Sequence, residues 1–315
     1  MARKTATKPS NPLHRIAILA LVRLPMLLPY GLRRETAAFL MAWIFAPLAG
    51  YRRRIRDNLA LVRPDLSARE VRRLMRAVPA NTGRMLIELA SARDLTRIVA
   101  ATPMQGPGVA ALDAARAAGR PIVVVSGHFG NFDAARAALA HRGHRVGALY
   151  RPVDDPEIDR AFHDALSRIS EPIFSRGRRG LGEMVRFLRQ GNTVAMLPDQ
   201  FVHGGAPLTF FGRMARTSLA AAELAVKYDA LLIPVYGIHR GRGFEIIAES
   251  PIPHGDPAAM TQTINDSLEA RVRADMDQWL WIHRRWKADR PRGGKRRKQN
   301  QGSRSAASTG PNPSA

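Results

Sequence analysis

The chain of 315 residues contains no cysteine. This absence excludes disulfide bonds, a thiolate nucleophile and metal sites built from cysteine. It is consistent with a reducing compartment.

Acidic residues are also scarce, with 26 aspartates and glutamates against 49 lysines and arginines, which gives a formal net charge of +23. A charge of this size indicates partners rather than a fold. Nucleic acid, an anionic bilayer surface and an acidic carrier protein would all suit it. Hydrophobic residues make up 45% of the chain, so a packed core is expected.

Several motifs that would carry other chemistries are missing. The sequence has no P-loop, no G-x-G-x-x-G, no HExxH and no GxSxG nucleophile elbow. His141 and His144 are three residues apart and have no carboxylate partner nearby in the sequence, so no metal site is predicted. Nothing in the sequence calls for a cofactor, and no nucleic-acid-binding motif is recognisable.

The two ends of the chain differ from its middle. Residues 1–12 and 292–315 are basic and polar, and both are predicted to be disordered. Between them, residues 13–32 and 37–51 are apolar. Arginines and prolines interrupt the first of these stretches, so we predict that residues 13–51 associate with a membrane by lying in its interface or forming a shallow hairpin. An ordinary pair of buried helices is the alternative.

Residues 52–291 are predicted to form one α/β domain with a mostly parallel central sheet flanked by helices, because buried strands alternate with helices. The predicted strands are 121–127, 146–150, 193–197, 231–238 and 244–250. The predicted helices are 67–76, which opens with a Ser67/Glu70 capping box, and 81–92, 134–140, 156–170, 181–189, 217–228 and 259–283.

The segment SGHFGNFD at 126–133 carries the most informative pattern. It lies where a buried strand ends and a helix begins, and ligands of open α/β sheets bind at such strand ends. A tight turn would bring Asp133 within hydrogen-bond reach of His128, and a histidine oriented by a carboxylate is a general base. With no protein nucleophile in sight, a substrate hydroxyl is the simplest target. A structural hydrogen bond is the alternative.

This segment resembles the H-x4-D signature of glycerolipid-type acyltransferases. Over residues 15–291 the chain also resembles the bacterial lipid A lauroyl/myristoyl acyltransferase family. The matching blocks are RRRIRDNL at 52–59, SGHFGNFD at 126–133, LYRPVDDPEIDR at 149–160, LPDQ at 197–200, FFGRMARTS at 210–218 and WLWIHRRWK at 279–287.

The resemblance implies roles for particular residues. The catalytic pair would be His128 and Asp133. Substrate-binding positions would be Arg151, Asp199, Gln200, Phe210, Phe211, Gly212 and Thr217, the last of which would open a helix.

Each of these roles has a plainer alternative. Arg151 would bind a phosphate or else pair with Asp154, Asp155 or Glu157. Asp199 would order an arginine or the acceptor, or else cap a helix. Phe210 and Phe211 would line an acyl channel or belong to the core. Trp279, Trp281 and Trp286 would form an interfacial belt or pack against the sheet.

The activity implied by the resemblance is O-acyl transfer, with no metal and no cofactor. The donor would be an acyl thioester on acyl carrier protein, or acyl-CoA, and the acceptor a phosphorylated glycolipid, the lipid A precursor. The expected place is the cytoplasmic face of the cell inner membrane, in lipopolysaccharide biosynthesis. Backbone N–H groups around Gly130, or Arg151, are candidate oxyanion donors.

Three other functions stay open from the sequence. The first is an acyltransferase acting on a mannosylated phosphoinositide or a lysophospholipid. The second is a basic nucleic-acid-binding protein, and the third is a membrane scaffold without catalysis.

Overall fold

The computed structural model describes residues 25–287, in which helices separate most of the strands from residue 104 onward. The strands are β1 (Met104–Gln105), β2 (Ile122–Val125), β3 (Val146–Tyr150), β4 (Ile173–Ser175), β5 (Thr193–Met196), β6 (Ala206–Phe210), β7 (Arg213–Thr217), β8 (Leu231–Arg240) and β9 (Gly243–Ala248). The helices are α1 (Tyr30–Leu40), a π-helical turn (Met41–Phe45), α2 (Ala46–Leu48), α3 (Tyr51–Val62), α4 (Ala68–Ala90), α5 (Ala92–Ala100), α6 (Val109–Ala117), α7 (Phe132–His141), α8 (Pro156–Ser167), α9 (Arg178–Arg189), α10 (Ala220–Lys227) and α11 (Pro257–Ala274). Short 3-10 turns occupy Pro25–Leu27 and Met276–Gln278.

Seven strands form the central sheet, in the order β1-β9-β8-β2-β5-β3-β4. All neighbours are parallel except β8 and β9. Strand β2 lies in the middle, and all four of its residues are buried, as its unbroken apolar sequence predicts for a strand covered on both faces. The predicted α/β class with a mostly parallel sheet is confirmed.

The predicted elements differ from the structure in four places. The helices expected at 67–76 and 81–92 are one helix, α4, which continues through Pro79 after the predicted Ser67/Glu70 capping box. The helix expected at 217–228 begins only at Ala220. The final helix ends at Ala274 rather than at 283, because Trp279 forms a bridge with Phe129 next to β2. The prediction also lacked helices α3, α5 and α6, the short strands β1 and β4 and the β6–β7 hairpin.

The second apolar stretch packs on α4 with one face. Ala37, Ala38 and Met41 are buried there, and the helices approach so closely that a Cβ on Gly83 would come within 2.5 Å of the Ala37 carbonyl oxygen. The opposite face leaves several large apolar side chains exposed. No helix among residues 25–287 is both long and apolar enough to cross a bilayer. Residues 1–12, most of the first apolar stretch and the tail at 292–315 lie outside the described residues, so the predictions for them and the membrane association of 13–51 stay predictions.

A buried carboxylate ties this N-terminal layer to the sheet. Glu88 of α4 is 0% exposed and pairs with Arg34 of α1 (Oε1 to Nε, 2.6 Å). Its other oxygen meets Asn131 Nδ2 at 2.7 Å and His239 Nε2 of β8 at 2.8 Å. Burial alone would raise the pKa of Glu88, but His239, Arg34 and Asn131 together lower it below its usual value. Because the Asn131 side chain also caps α7, this network fixes the start of the helix that follows residues 126–130.

Candidate active site

Three of the predicted site segments follow neighbouring strands of the sheet. His128 follows β2, Asp199 follows β5 and Arg151 follows β3. Since β2, β5 and β3 are adjacent and parallel, their carboxyl ends lie at one edge of the sheet, as expected for a ligand site of an open α/β fold.

His128 is oriented by Asp199. Its Nδ1 lies 2.8 Å from Asp199 Oδ1, and its backbone N–H donates to Asp199 Oδ2 at 2.9 Å. Trp279 Nε1 donates to the same Oδ2 at 3.0 Å. The Asp199 residue is only 3% exposed, so its carboxylate depends on these three donors rather than on water. The result is an imidazole ring held in one orientation by a buried acid.

His128 and Asp199 each shift the pKa of the other. Burial alone would lower the pKa of His128, but the charge and hydrogen bond of Asp199, with a further contribution from the charge of Asp133, raise it above its usual value of 6.5. Burial likewise opposes ionisation of Asp199, yet His128 and Trp279 bring its pKa down to about 2. A neutral His128 therefore places its proton on Nδ1, facing Asp199, and leaves Nε2 with a free electron pair.

Nε2 is the reactive side of the ring. The Gln200 side-chain amide donates to it at 3.2 Å, and the side chain of His128 is 24% exposed. Next to the ring, a cavity of about 40 Å³ lies against Thr82 and Met85 of α4. An unprotonated imidazole nitrogen on a partly exposed ring, with a carboxylate behind the ring, has the arrangement of a general base.

The predicted hydrogen bond between His128 and Asp133 is not formed. Asp133 lies in the first turn of α7, where its carboxylate is buried and pairs with Arg136 one turn later at 2.6 Å. The spacing places the two residues near each other, but the acid that reaches the imidazole comes from the next strand. The expected dyad geometry is therefore corrected to His128 and Asp199. A catalytic contribution of Asp133, whose charge acts on the pKa of His128, stays a prediction.

The segment 279–287 builds the floor of this site. Besides Trp279, its His283 accepts a hydrogen bond at Nε2 from the backbone N–H of Phe201 (2.9 Å), two residues beyond Asp199. Asn58 of the RRRIRDNL block donates to the carbonyl oxygens of Trp281 and His283 at 2.7 and 2.8 Å. Sequence reasoning did not assign these residues to the site, although both blocks had been singled out by the resemblance.

The aromatic side chains pack together. Trp279 and Trp281 are buried and form an edge-on pair with ring centroids 4.8 Å apart. These two residues therefore pack in the core instead of forming an interfacial belt. Phe210 and Phe211 are buried in the same cluster. A role for these two phenylalanines in an acyl channel stays a prediction.

The β6–β7 hairpin contains two further residues that were predicted to bind substrate, Gly212 and Thr217. Phe210 pairs with Arg213, which leaves Phe211 and Gly212 as a two-residue turn with positive φ angles of 53° and 69°, as the tight turns of hairpins require. Thr217 ends β7 instead of opening a helix, because its buried hydroxyl accepts a hydrogen bond from Arg285 at 2.5 Å. That correction makes Thr217 a structural contact of the 279–287 segment.

Arg151 is exposed just beyond β3. Among residues 25–287, no ion pair joins its guanidinium to Asp154, Asp155 or Glu157, the carboxylates proposed as alternatives to a phosphate. Asp155 instead caps α8 through the backbone N–H groups of Glu157 and Ile158. Phosphate binding by Arg151 stays a prediction.

Two backbone N–H groups that were candidate oxyanion donors are occupied. The backbone N–H of Gly130 donates to the Gln278 carbonyl at 2.9 Å, and that of Asn131 donates to the Gly237 carbonyl at 2.7 Å. Neither group is available to a substrate. The Gln200 amide and the Arg151 guanidinium also carry donors at this edge of the sheet.

Comparison with known proteins places the chain. It is 28% identical over 204 residues to a phosphatidylinositol mannoside acyltransferase of Mycobacterium tuberculosis, a match that covers 63% of this chain and 62% of the relative's length. It is 25% identical over 250 residues to the lipid A biosynthesis lauroyltransferase of Escherichia coli K12, covering 76% and 79%. A crystal structure of the 1-acyl-sn-glycerophosphate acyltransferase of Thermotoga maritima aligns over 84% of this chain and 98% of that one, with 15% identity and a TM-score of 0.37. The family profile described as bacterial lipid A biosynthesis acyltransferase matches residues 4–288, and the chain belongs to that family.

Proposed function

We propose that this protein is an O-acyltransferase that moves a fatty acyl chain from an acyl thioester to a hydroxyl group of a lipid A precursor. The observation that carries the proposal is the geometry of His128, whose Nδ1 is fixed by the buried Asp199 while Nε2 lies on the other side of the ring, beside Gln200. Family membership supplies the reaction class.

In the proposed mechanism, Nε2 of His128 removes the proton of the acceptor hydroxyl as its oxygen attacks the thioester carbonyl. Asp199 keeps the other ring proton on Nδ1 and stabilises the imidazolium that forms. The tetrahedral intermediate then expels the thiolate, which takes the proton back from Nε2. The Gln200 amide, 3.2 Å from Nε2, is a candidate donor for the developing oxyanion, and the Arg151 guanidinium is a candidate for a phosphate of the acceptor.

The charge of the chain supports the proposed donor, and the amphiphilic acceptor supports the proposed location. An acyl carrier protein is acidic, and a chain of net charge +23 would attract it over a distance set by ionic strength; acyl-CoA is the alternative donor. The acceptor is an amphiphile, so we place the enzyme at the cytoplasmic face of the inner membrane, with residues 13–51 in contact with the bilayer.

A second acceptor has a specific observation in its favour. The mycobacterial relative, at 28% identity, is described as acting on a phosphatidylinositol mannoside. The same base and the same donor chemistry would serve a sugar hydroxyl of that lipid, so the distinction lies in the acceptor alone.

Mass spectrometry of membrane lipids from a deletion strain tests the proposal. Deletion should remove one acyl chain from lipid A, and the wild-type gene should restore that chain whereas a gene encoding His128→Ala should not. Loss of an acyl chain from a phosphoinositide mannoside instead would support the second acceptor. An unchanged lipid profile in a strain without a second copy of such a gene would contradict both.

A further inference from the structure

A second cavity lies away from His128, on another face of α4. It is an open cleft of about 910 Å³ between α4 and the helical segment of α1 and the π-helical turn. We call it the arginine cleft, and its defining side chains are Arg69, Arg72, Arg73 and Arg76 on one wall and Phe39 and Trp43 on the other.

The four arginines form a continuous stripe. Their spacing of three, four and seven residues from Arg69 places them on one face of α4, and all four are exposed. Like charges four residues apart repel each other, and cations near a helix N-terminus oppose the helix dipole. This stripe therefore opposes folding instead of stabilising the helix.

No carboxylate among residues 25–287 forms an ion pair with these four arginines. The two acids that line the cleft have other partners. Glu70 accepts from the backbone N–H of Ser67 at 2.8 Å in the capping box, and Glu35 forms a two-point ion pair with Arg84 (3.0 and 2.7 Å). Within residues 25–287, the positive charge of the stripe is thus left without a carboxylate partner and is available to another anion.

The facing wall is apolar and open. Phe39 and Trp43 are 58% and 48% exposed, and the Arg76 guanidinium carbon lies 4.8 Å from the Trp43 ring centroid. Leu32 of α1, Ile44 of the π-helical turn and Leu48 of α2 are exposed as well. A guanidinium stripe facing aromatic and aliphatic side chains complements a molecule that is anionic at one end and apolar at the other.

We propose that the arginine cleft binds the phosphate-bearing headgroup of an anionic membrane lipid, with the lipid's acyl chains lying along Phe39 and Trp43. Planar guanidinium groups pair well with phosphate oxygens, and aromatic side chains suit the bilayer interface. An acidic protein would match the arginines but would leave the exposed apolar wall unexplained. The proposal goes beyond acyl transfer and does not depend on it.

Binding at this cleft would also orient the active site. Helix α4 separates the two cavities: Asn81 and Met85 border the cavity at His128, while Arg84 lines the arginine cleft and donates to Asn81 Oδ1 at 2.8 Å. A lipid in the cleft would thus hold the bilayer surface beside the helix that flanks His128.

The test is binding of the full chain to vesicles of phosphatidylcholine, with and without phosphatidylglycerol, at about 0.15 M salt, where surface charges act over roughly 8 Å. The test variant combines Arg69→Gln, Arg72→Gln, Arg73→Gln and Arg76→Gln. The matched control removes the same charge from exposed arginines on α5, α6 and α9, by Arg93→Gln, Arg116→Gln, Arg186→Gln and Arg189→Gln. Thermal unfolding confirms that both variants are folded.

We expect the cleft variant to lose more than about tenfold in affinity for the anionic vesicles, because each basic residue at an anionic surface contributes a factor of roughly five. The control should change by less than about twofold, since its arginines would lie beyond the screening distance. Lipids with brominated acyl chains should quench Trp43 in the wild type, and this quenching should disappear in Trp43→Phe.

If the two variants lost the same affinity for the anionic vesicles, the loss would be due to net charge alone and the proposal would be overturned. It would also be overturned if the cleft variant kept wild-type binding to the vesicles. If that variant also lost binding to acyl carrier protein, the cleft would be a protein-docking site. None of these readouts uses turnover, so the result is separate from that of the acyl-transfer test.

Discussion

Replacing His128 by alanine should lower kcat by about 10²–10⁴-fold, the usual contribution of a general base, while the protein stays folded. The expectation rests on Nε2, which lies on the side of the ring away from Asp199, and on the fixed Nδ1. Folding should tolerate the change because the Asp199 carboxylate keeps its bonds from the backbone N–H of residue 128 and from Trp279. Single-turnover kinetics and thermal unfolding on the same preparation measure both quantities.

A conservative variant separates the loss of the base from the loss of the side-chain hydrogen bond to Asp199. His128→Asn retains a side-chain donor near the position of Nδ1 but has no base at the position of Nε2, so it should be as inactive as the alanine variant and at least as stable. If either variant were stable and retained near-normal turnover, His128 would have no role in proton transfer.

Replacing Glu88 by alanine should lower the free energy of unfolding by about 3–5 kcal/mol, the cost of removing one partner from a buried ion pair. The change leaves the Arg34 guanidinium and His239 Nε2 without their common acceptor in the core. It also removes the partner of the Asn131 side-chain amide, so the loop that carries His128 should loosen. Urea unfolding monitored by tryptophan fluorescence measures the effect.

The matched control is Glu183→Ala, which removes a carboxylate from an exposed pair with Arg179 on α9. Exposed pairs contribute little, so the unfolding midpoint should barely move. If Glu88→Ala unfolded at the same urea concentration as this control, the buried network would not be what joins α1 and α4 to the sheet.

The local features of the fold could be predicted because they depend on short segments of sequence. The apolar run before Ser126 gave β2, and Ser67 with Glu70 gave the start of α4. The hairpin at 206–217 was missed because it contains a proline and lacks a continuous apolar, β-branched run like that of β2. Thr217 was misassigned because threonine is a good helix cap, and only the fold shows that its hydroxyl bonds to Arg285.

The sequence predicted which residues belong to the candidate site but not which acid pairs with the histidine. His128 and Asp199 were both singled out, yet they are 71 residues apart, and spacing along the chain favoured Asp133, which is five residues from the histidine. The order of strands in the sheet decides which acid reaches the imidazole, and a single sequence contains no direct signal for that order. Trp279 and His283 were missed for the same reason, since their contacts with the 199–201 loop also join distant segments.

The pH dependence of kcat/KM for the wild type, Asp199→Asn and Asp133→Asn tests the central claim most directly. The base must be neutral, so wild-type activity should rise with pH through an apparent pKa above 6.5, the usual value for histidine. Asp199→Asn should move this rise to lower pH, because the charge that favours the imidazolium is gone, and should lower the plateau by about 10²–10⁴-fold. Asp133→Asn should lower the plateau less and shift the profile less than Asp199→Asn, because Asp133 acts on His128 through its charge and not through a hydrogen bond. A folded Asp199→Asn enzyme with the wild-type profile, beside a folded but inactive Asp133→Asn enzyme, would contradict the account.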